Sequence, residues 1–409
     1  MERIELLAPA GSLTKLKFAV LYGADAVYIG GEAFSLRCAA ENFTEEEILK
    51  GVEFAHKKGV KVYIALNVIP HNKDVEQIVE AAKKAHSMGV DAAIVADVGT
   101  IVALREEVPD LDIHVSTQAN IVNTRTATAF YRMGAKRVVL ARELTMEEIR
   151  EIRDKTPVGL ELEMFVHGAM CISYSGRCLL SNYMTGRDSN GGVCAQPCRW
   201  NYHLMEEKRP GEYYPVYEDE HGTYIFNSKD LCLIEHIPEI IESGVTSLKI
   251  EGRVKTEYYV ASVVKAYREA IDCYYRDGDR YEFDEKLLEE LQKVSHRRYC
   301  DGFFEGGTNE ESQVYETSSY VRNYDIAGVV LSYDEVTGIA TIEQRNRFFK
   351  GDELEIIQPM VPGFMCFNAD YMTDENGMEI NVAPNAKMIV KIKTPGKVIP
   401  NSLVRKKNQ

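Results

Sequence analysis

The sequence repeats one pattern, a glycine followed by a β-rich run, in GADAVYIG (23–30), GVKVYIAL (59–66), GVDAAIVAD (89–97), GAKRVVLAR (134–142) and GVTSLKIEG (244–252). Each run follows a segment with the apolar spacing of a helix. Glycine suits the left-handed residue that ends a helix, and continuous Val, Ile and Ala suit a strand that is buried on both faces of a parallel sheet. The pattern therefore predicts alternating helices and parallel strands.

Three further runs bring the predicted strands to eight: IELLAPAG (4–11), LDIHVSTQAN (111–120) and LELEMFVHG (160–168). Eight β/α units in the first 280 residues fit a (β/α)8 barrel, whose usual length is about 250 residues. A doubly wound sheet is the alternative. It would be favoured by a GxGxxG turn after the first strand, but the sequence there reads APAGS (8–12). We expect a TIM-barrel-like α/β domain over residues 1–280.

The residues that follow the strands of such a barrel meet at one face, where active sites lie. At these positions the sequence has Gly30, Gly31, Asn67, Asp97, Thr117, Gln118, Arg142, Glu143, His167, Glu251 and Arg253. The four that we expect to be catalytic are Arg142, His167, Glu251 and Arg253. The alternative for each is an ordinary loop residue.

The rest of the chain departs from the repeat. An insertion at 169–243 separates the seventh and eighth strands and is far longer than a usual βα loop. Its second half, residues 200–226, alternates polar and aromatic residues around turn signals and indicates a β-hairpin. Residues 281–325 form a polar connector. Short strands broken by glycine then predict a small β-barrel domain at 326–409.

Five of the nine cysteines fall within 62 residues of the insertion: Cys171, Cys178, Cys194, Cys198 and Cys232. An odd total argues against a disulfide framework, and clustered thiols in a reducing compartment indicate metal binding or catalysis. The spacing fits zinc and an iron–sulfur cluster equally well. Two other readings are buried core cysteines and a nucleophilic Cys171 assisted by His167.

The segment from Glu163 to Ser181 reads E-x-F-x-x-G-A-x-C-x-x-x-x-G-x-C-x-x-S and resembles the signature of the peptidase U32 family, the collagenase-like proteins. Further blocks that resemble this family are LLAPAGS (6–12), GADAVYIGG (23–31), CAQPCRW (194–200), NSKDLC (227–232) and LKIEGR (248–253). The resemblance covers nearly the whole chain. It implies a barrel-like catalytic domain with a small C-terminal β domain.

The resemblance also implies an activity. Members were classified as peptidases, and others are linked to oxygen-independent hydroxylation of RNA or of ubiquinone precursors, with prephenate as a required metabolite. It further implies a [4Fe-4S] cluster held by Cys171, Cys178, Cys194 and Cys232, with Cys198 or Cys38 as alternative ligands. Because a cubane takes four thiolates, the cysteines favour hydroxylation over proteolysis.

Charge bears on the substrate. The chain has 48 Lys and Arg against 63 Asp and Glu, a net charge of −15, so contact with nucleic acid requires a local basic patch. Residues 387–409 contain seven Lys and Arg and no carboxylate, which suits tRNA phosphates, although a solvated tail is the alternative. Around the cysteines lie residues that suit an extruded base or a prephenate-like acid: Tyr174, Arg177, Tyr183, Arg187, Arg199 and Trp200.

We therefore expect a cytoplasmic enzyme that hydroxylates a tRNA pyrimidine to 5-hydroxyuridine. Its expected cofactor is a [4Fe-4S] cluster, its co-substrate prephenate, and its partners tRNA and a second U32-family protein. No apolar run approaches the length of a membrane span. The alternatives are a collagenase-like peptidase and a zinc-stapled RNA-binding protein.

Overall fold

The structure, a computed structural model, describes residues 3–31, 42–171, 173–175, 177–187, 189, 194–199, 218–219, 222–223, 229–306 and 321–408. Backbone contacts divide the chain into two compact units. The first consists of Met1–Val20, Ala24–Lys255 and Arg297–Tyr320, and the second of Leu21–Gly23, Thr256–His296 and Val321–Gln409. Within the described ranges, no helix combines the length and the apolar composition that crossing a bilayer requires.

Seven strands and six helices alternate along the first unit. The strands are β1 (Glu5–Pro9), β2 (Ala26–Gly30), β3 (Lys61–Ala65), β4 (Ala92–Val95), β5 (Asp112–Val115), β6 (Arg137–Val139) and β7 (Glu161–Ala169). The helices are α1 (Leu13–Leu21), α2 (Glu45–His56), α3 (Asn72–Ser87), α4 (Val98–Glu107), α5 (Thr124–Arg132) and α6 (Met146–Lys155). Each strand pairs in parallel with the next.

The insertion after β7 contains α7 (Leu180–Thr185), β8 (Glu218–Asp219), β9 (Gly222–Thr223), β10 (Asp230–Cys232) and α8 (Ile237–Glu242). The next strand, β11 (Ser247–Ile250), pairs in parallel with both β7 and β1. This double pairing closes the barrel at eight parallel strands and confirms the predicted fold class. Of the hairpin expected at 200–226, the structure describes β8 and β9, which pair antiparallel, and the rest lies outside the described residues.

Local sequence explains the helix boundaries. The glycine that begins each of the five repeated segments has a positive φ, for example 111° at Gly23, so it can end a helix where other residues would be strained. Thr44 begins α2 with a capping box, in which its side chain accepts a hydrogen bond from the Glu47 amide. Asp97, expected at the rim of the site, caps α4 by accepting a hydrogen bond of 2.8 Å from the Thr100 amide.

The sheet extends beyond the barrel at one place. Strand β10 runs antiparallel to the end of β7, with Cys232 opposite His167 and Asp230 opposite Ala169. Strand β12 (Tyr299–Cys300) then pairs in parallel with β10. The carboxyl end of β7 therefore lies between a barrel strand and a segment of the cysteine-rich insertion.

The second unit combines two helices with a β-rich domain. The helices are α9 (Glu257–Asp277) and α10 (Glu285–Gln292). The strands are β13 (Tyr324–Asp334), β14 (Ile339–Gln344), β15 (Phe348–Phe349), β16 (Glu353–Ile357), β17 (Met365–Asn368), β18 (Met372–Asp374), β19 (Val382–Ala383), β20 (Ile389–Lys393) and β21 (Leu403–Lys407). Seven of them form an antiparallel sheet in the order β17-β16-β21-β13-β14-β20-β18, and β15 pairs with β19. The expected connector at 281–325 thus contains α10 and β12.

One arginine of the predicted basic strip is buried in this second unit. Arg405 is 0% exposed, and its Nε donates a hydrogen bond of 2.7 Å to Glu355. Its Nη2 lies 2.7 Å from a carboxylate oxygen of Glu290. Two carboxylates therefore neutralise Arg405, and the expectation that it could contact phosphate is wrong.

Candidate active site at the carboxyl end of the barrel

A cleft opens at the carboxyl ends of the barrel strands. Six of the polar residues predicted for the rim line it: Asn67, Thr117, Gln118, Arg142, Glu251 and Arg253. Its apolar and aromatic walls come from β2, β3, β4 and β7 and the residue after β7, through Tyr28, Ala65, Ile94, Phe165 and Met170. The pattern of strand ends therefore predicted which residues line this cleft, because parallel strands bring their carboxyl ends to one face.

Among the described residues, three cationic side chains line this cleft: Arg142, Lys249 and Arg253. The Arg142 guanidinium lies 4.5 Å from the centre of the Phe165 ring. Lys249 Nζ lies 4.7 Å from the Tyr28 ring centre, and the Arg253 guanidinium lies 5.9 Å from the same ring. Cations held against aromatic faces in a partly buried cleft form a favourable site for an anion.

Arg142 is positioned by neutral groups. Its Nη1 donates a hydrogen bond of 2.7 Å to the Ala169 carbonyl, and its Nη2 lies 3.4 Å from Ser175 Oγ. Among the described residues no carboxylate forms an ion pair with it. Burial raises the pKa of the adjacent Glu143 carboxyl, and Arg142 offsets this shift only in part. The positive charge of Arg142 therefore remains available to a ligand.

Lys249 was not predicted, and it joins the cleft to a buried charge network. Its Nζ donates a hydrogen bond of 2.7 Å to Glu163 Oε1. The other Glu163 oxygen accepts a hydrogen bond of 3.1 Å from Arg137 Nη1. All three side chains are almost completely buried. A lysine within the otherwise apolar run SLKI (247–250) is the sequence signal that could have identified this residue.

Tyr28 and Glu251 meet beside Lys249. The Tyr28 hydroxyl donates a hydrogen bond of 2.9 Å to the Ile250 carbonyl and lies 3.4 Å from Glu251 Oε2. Tyr28 comes from β2 and Glu251 follows β11, so the closed barrel brings them together from positions 223 residues apart. The Glu251 carboxylate gives this side of the cleft a proton acceptor, and the cations Lys249 and Arg253 lie against the same Tyr28 ring.

Two amide side chains lie elsewhere in the cleft. Asn67 Nδ2 donates a hydrogen bond of 3.3 Å to Ser116 Oγ, and Ser116 Oγ donates one of 3.3 Å to Gln118 Oε1. The remaining polar atoms, Asn67 Oδ1 and Gln118 Nε2, are buried and have no hydrogen-bond partner in the part of the chain that the structure describes. Buried polar atoms without partners are uncommon and costly, and they mark a place where a ligand can supply the missing bonds.

Four of the five insertion cysteines line the same cleft: Cys171, Cys178, Cys194 and Cys198. Within the described residues, neither these cysteines nor Cys232 form a disulfide bond. Cys232 lies on β10, opposite His167, and is not among the lining residues that the structure describes. Within the described ranges, no three His, Cys, Asp or Glu side chains are close enough together to hold a metal ion. Cys38 lies outside the described residues.

His167 is buried on β7, with 1% of its surface exposed. Its carbonyl accepts a hydrogen bond of 2.8 Å from the Glu251 amide, and its ring centre lies 5.2 Å from that of Tyr299. Burial, together with the charges of Cys232 and Asp230, raises the pKa of Tyr299 well above its usual value. His167 therefore contacts the cleft residue Glu251 through its backbone. It is not one of the described residues that line the cleft.

The aromatic and basic residues expected around the cysteines have separate positions. Tyr174 lines the cleft. Arg177 Nε donates a hydrogen bond of 2.8 Å to Asn120 Oδ1, and Arg187 is exposed. The side chains of Tyr183, Arg199 and Trp200 lie outside the described residues.

Fold and site together define a class, a TIM-barrel protein whose cysteine-lined, cationic cleft lies at the carboxyl ends of its strands. The chain belongs to peptidase family U32. The model of that family matches residues 11–314, and the model of the U32 C-terminal domain matches residues 322–405.

Three relatives show the range of names in the family. The tRNA hydroxylation protein P1 of Bacillus subtilis (strain 168) is 45% identical over 402 residues, which cover 98% of this chain and 94% of that protein. The tRNA hydroxylation protein P of Escherichia coli (strain K12) is 38% identical and covers 97% of this chain and 94% of its own length. A protein named Collagenase from Porphyromonas gingivalis (strain ATCC BAA-308 / W83) is 34% identical, with coverages of 87% and 86%.

Proposed function

We propose that this protein hydroxylates a pyrimidine of tRNA without molecular oxygen and forms 5-hydroxyuridine. The observation that carries the proposal is the cleft, which combines aromatic walls, three cations and four cysteine thiols at the carboxyl ends of the barrel strands. The two full-length relatives named tRNA hydroxylation proteins support the choice of substrate. A tRNA substrate places the reaction in the cytoplasm, and a second U32-family protein is the proposed partner.

The thiols are the proposed ligands of a [4Fe-4S] cluster. Cysteine thiolates are the usual ligands of such clusters, and four cysteines in one cleft fit that donor requirement. Cys171, Cys178 and Cys194 are common to the predicted set and to the cleft, while Cys232 and Cys198 compete for the fourth position. Binding requires these cysteines to approach one another more closely than they do here. When bound, the cluster would supply electron transfer beside the cleft.

The three cations are the proposed anion site. Arg142, Lys249 and Arg253 would bind the carboxylates of a small dicarboxylic acid of the prephenate type, because guanidinium and ammonium groups against aromatic rings favour carboxylates. Glu163 fixes Lys249 through its hydrogen bond of 2.7 Å. Glu251 lies beside this site and would accept or return a proton.

The C-terminal domain is the proposed contact for tRNA phosphates, through its exposed lysines. Lys393 and Lys407 are exposed on β20 and β21, whereas Lys397 forms an ion pair with Glu335. Changing Lys393 and Lys407 to alanine should weaken tRNA binding and reduce its salt dependence by roughly 0.7–0.9 per lost contact in a double-logarithmic plot. The Lys397→Ala variant is the control. An unchanged salt dependence in the double variant would remove these lysines from the interface.

Mass spectrometry of tRNA tests the activity. Cells that lack the protein should regain hydroxylated pyrimidine when they express the wild type but not when they express Arg253→Ala, which should keep its tRNA affinity within a few-fold. Normal hydroxylation by that variant would remove Arg253 from the site. Absence of hydroxylated pyrimidine with the wild type would end the proposal.

Metal analysis tests the cofactor. Protein purified without air should be brown and contain about four irons per chain. Cys171→Ser and Cys178→Ser should remove most of the visible absorbance, while Cys273→Ser and Cys366→Ser, which change cysteines outside the cleft, should retain it. Stoichiometric zinc without iron would instead favour the zinc-stapled RNA-binding protein.

Proteolysis is the second candidate function, because the relative from Porphyromonas gingivalis is named Collagenase. Cys171 lines the cleft and is exposed, so it is the residue that a cysteine peptidase mechanism would use. We expect no cleavage of gelatin above that of a Cys171→Ala control. Cleavage by the wild type that is lost in this variant would reverse the order of the two functions.

A further inference from the structure

Asn67 and Gln118, the amide pair of the cleft, are linked through the hydroxyl of Ser116. The Ser116 hydroxyl accepts a hydrogen bond from Asn67 Nδ2 and donates one to Gln118 Oε1, both at 3.3 Å. One amide therefore uses its nitrogen and the other its oxygen. Exchanging the nitrogen and oxygen of both side chains gives the mirror arrangement, which is equally consistent. In either case one amide donor and one amide acceptor remain without a partner among the described residues.

We propose that Asn67 and Gln118 bind the Watson–Crick edge of a flipped pyrimidine base. Uracil presents a donor, N3–H, next to two carbonyl acceptors, and one donor beside one acceptor on the protein is its complement. Cytosine presents an equivalent pair in its N4 amino group and N3. Purines also present a donor next to an acceptor on this edge, so the choice of a pyrimidine rests on the proposed function, and the amide pair names how that substrate is held.

The chemistry of the pair argues against the alternative occupant, a small acid. A carboxylate has only acceptor atoms, so it would leave the protein acceptor unsatisfied and bring two oxygens together. Two of the three cations that suit a carboxylate lie apart from the amides along the barrel, since Lys249 is on β11 and Arg253 follows that strand. Asn67 follows β3 and Gln118 follows β5, on either side of β4, and β4 is the strand farthest around the closed barrel from β11, which carries Lys249.

The surroundings of the pair fit a planar base. Ile94 on β4 lies in the cleft wall between the two strand ends that carry the amides, and Phe165 and Met170 also line the cleft. Gln118 is 3% exposed and Ser116 is 3% exposed, so hydrogen bonds made there are shielded from water and count strongly toward specificity. Both unpartnered atoms are buried in this structure, so binding of a base requires a local rearrangement of the cleft.

Nucleotide binding tests the proposal directly. Titration of the full-length protein with uridine 5′-monophosphate and with its N3-methyl derivative compares two ligands that differ in the proposed donor. We expect the wild type to bind uridine 5′-monophosphate about tenfold more tightly, as a bidentate base contact implies. Equal affinity for the two nucleotides, or no binding of either at millimolar concentration, would overturn the proposal.

Variants of Asn67 and Gln118 show which amide supplies the donor and which supplies the acceptor. The double variant Asn67→Leu with Gln118→Met should bind both nucleotides weakly and equally. Of the two single variants, the one that abolishes the discrimination identifies the residue that supplies the acceptor. Gln77→Met, an exposed glutamine on α3, is the matched control and should discriminate like the wild type. Retained discrimination in the double variant would contradict the assignment. The comparison of the two nucleotides on the wild type does not depend on how the variants fold.

The tRNA assay separates this inference from the proposed function. If wild-type cells contain hydroxylated pyrimidine and cells with the double variant contain the same amount, the amide pair is not the base site although the activity stands. If the wild type produces none but discriminates between the nucleotides, the pyrimidine site stands and the hydroxylation is wrong.

Discussion

The two ends of the barrel treat buried charge differently. At the amino end, Arg137 is bound by three carboxylates, those of Glu5, Glu161 and Glu163. At the carboxyl end, Arg142 contacts a carbonyl and a hydroxyl, and the amides of Asn67 and Gln118 each keep an unpartnered atom among the described residues. Removing one partner of a buried ion pair is strongly destabilising, whereas a buried polar atom without a partner can bond to a ligand. The contrast predicts that substitutions at the amino end mainly reduce stability and that substitutions at the carboxyl end mainly reduce activity.

The network at the amino end also sets the ionisation of its members. Burial raises the pKa of Glu5, but Arg137 outweighs this effect, so the pKa of Glu5 lies below its usual value. Burial and the neighbouring Glu5 raise the pKa of Tyr63, whose hydroxyl donates a hydrogen bond of 2.6 Å to that carboxylate. Burial, followed by the charge of Arg137, lowers the pKa of His114 well below 6.5.

The largest effect should come from Arg137→Met. This change removes the cation that pairs with the buried Glu5 and one of the two cations that bind Glu163, and breaking a buried ion pair in this way costs about 3–5 kcal/mol of unfolding free energy. Urea denaturation measures the loss. Lys136→Ala removes a neighbouring ion pair with Asp112 that is more than 40% exposed, and it should cost less than about 1 kcal/mol. Equal losses in the two variants would refute the special role of the amino end.

A substitution at the carboxyl end of the barrel should reduce activity more than stability. Arg142→Ala should reduce tRNA hydroxylation by about 100-fold, because one preorganised charge in a cleft contributes on that order. Its unfolding free energy should fall by only about 1 kcal/mol, since it loses hydrogen bonds to neutral groups. Arg132→Ala, at an exposed position of α5, is the control. A large loss of stability in Arg142→Ala would show that the two ends do not divide these tasks.

A smaller effect at the amino end should come from Tyr63→Phe. It removes the hydrogen bond of 2.6 Å to Glu5 without changing the shape of the ring. Hydrogen bonds to charged groups contribute about 1.5–3 kcal/mol, and Arg137 still binds Glu5, so a value near the lower limit is expected. Chemical denaturation of this variant and of Tyr131→Phe, a half-exposed tyrosine, provides the comparison. Hydroxylation should persist, and its loss would extend the site to this end of the barrel.

The smallest effect should appear in the pH dependence of stability. Because the pKa of His114 is lower in the folded state than its ordinary value of 6.5, the unfolded chain binds a proton more readily. Its contribution to stability is therefore complete above pH 6.5 and declines as the pH falls toward the folded-state pKa. His114→Leu should flatten this decline in denaturation curves measured between pH 7 and pH 5. An identical slope in the variant would contradict the assignment.

The sequence by itself determined the barrel. Its eight strands are local runs of apolar residues, and the glycine before five of them ends a helix wherever it occurs, so neither feature depends on distant contacts. The same local pattern located six residues of the cleft, because strand ends meet at one face of any such barrel. The clustering of cysteines in one insertion was equally visible, and four of the five do line the cleft.

Only the tertiary structure decided which buried residues meet inside the barrel. A parallel strand that is apolar on both faces does not reveal which side chains point inward, so the sequence did not show that Lys249, Glu163 and Tyr28 meet. Arg137 and Glu5 are 132 residues apart, and they meet because β11 closes the sheet onto β1. Arg405 belonged to a basic run in the sequence, yet the strand that carries it turns its guanidinium toward two carboxylates, because a buried charge is stable only beside its partners.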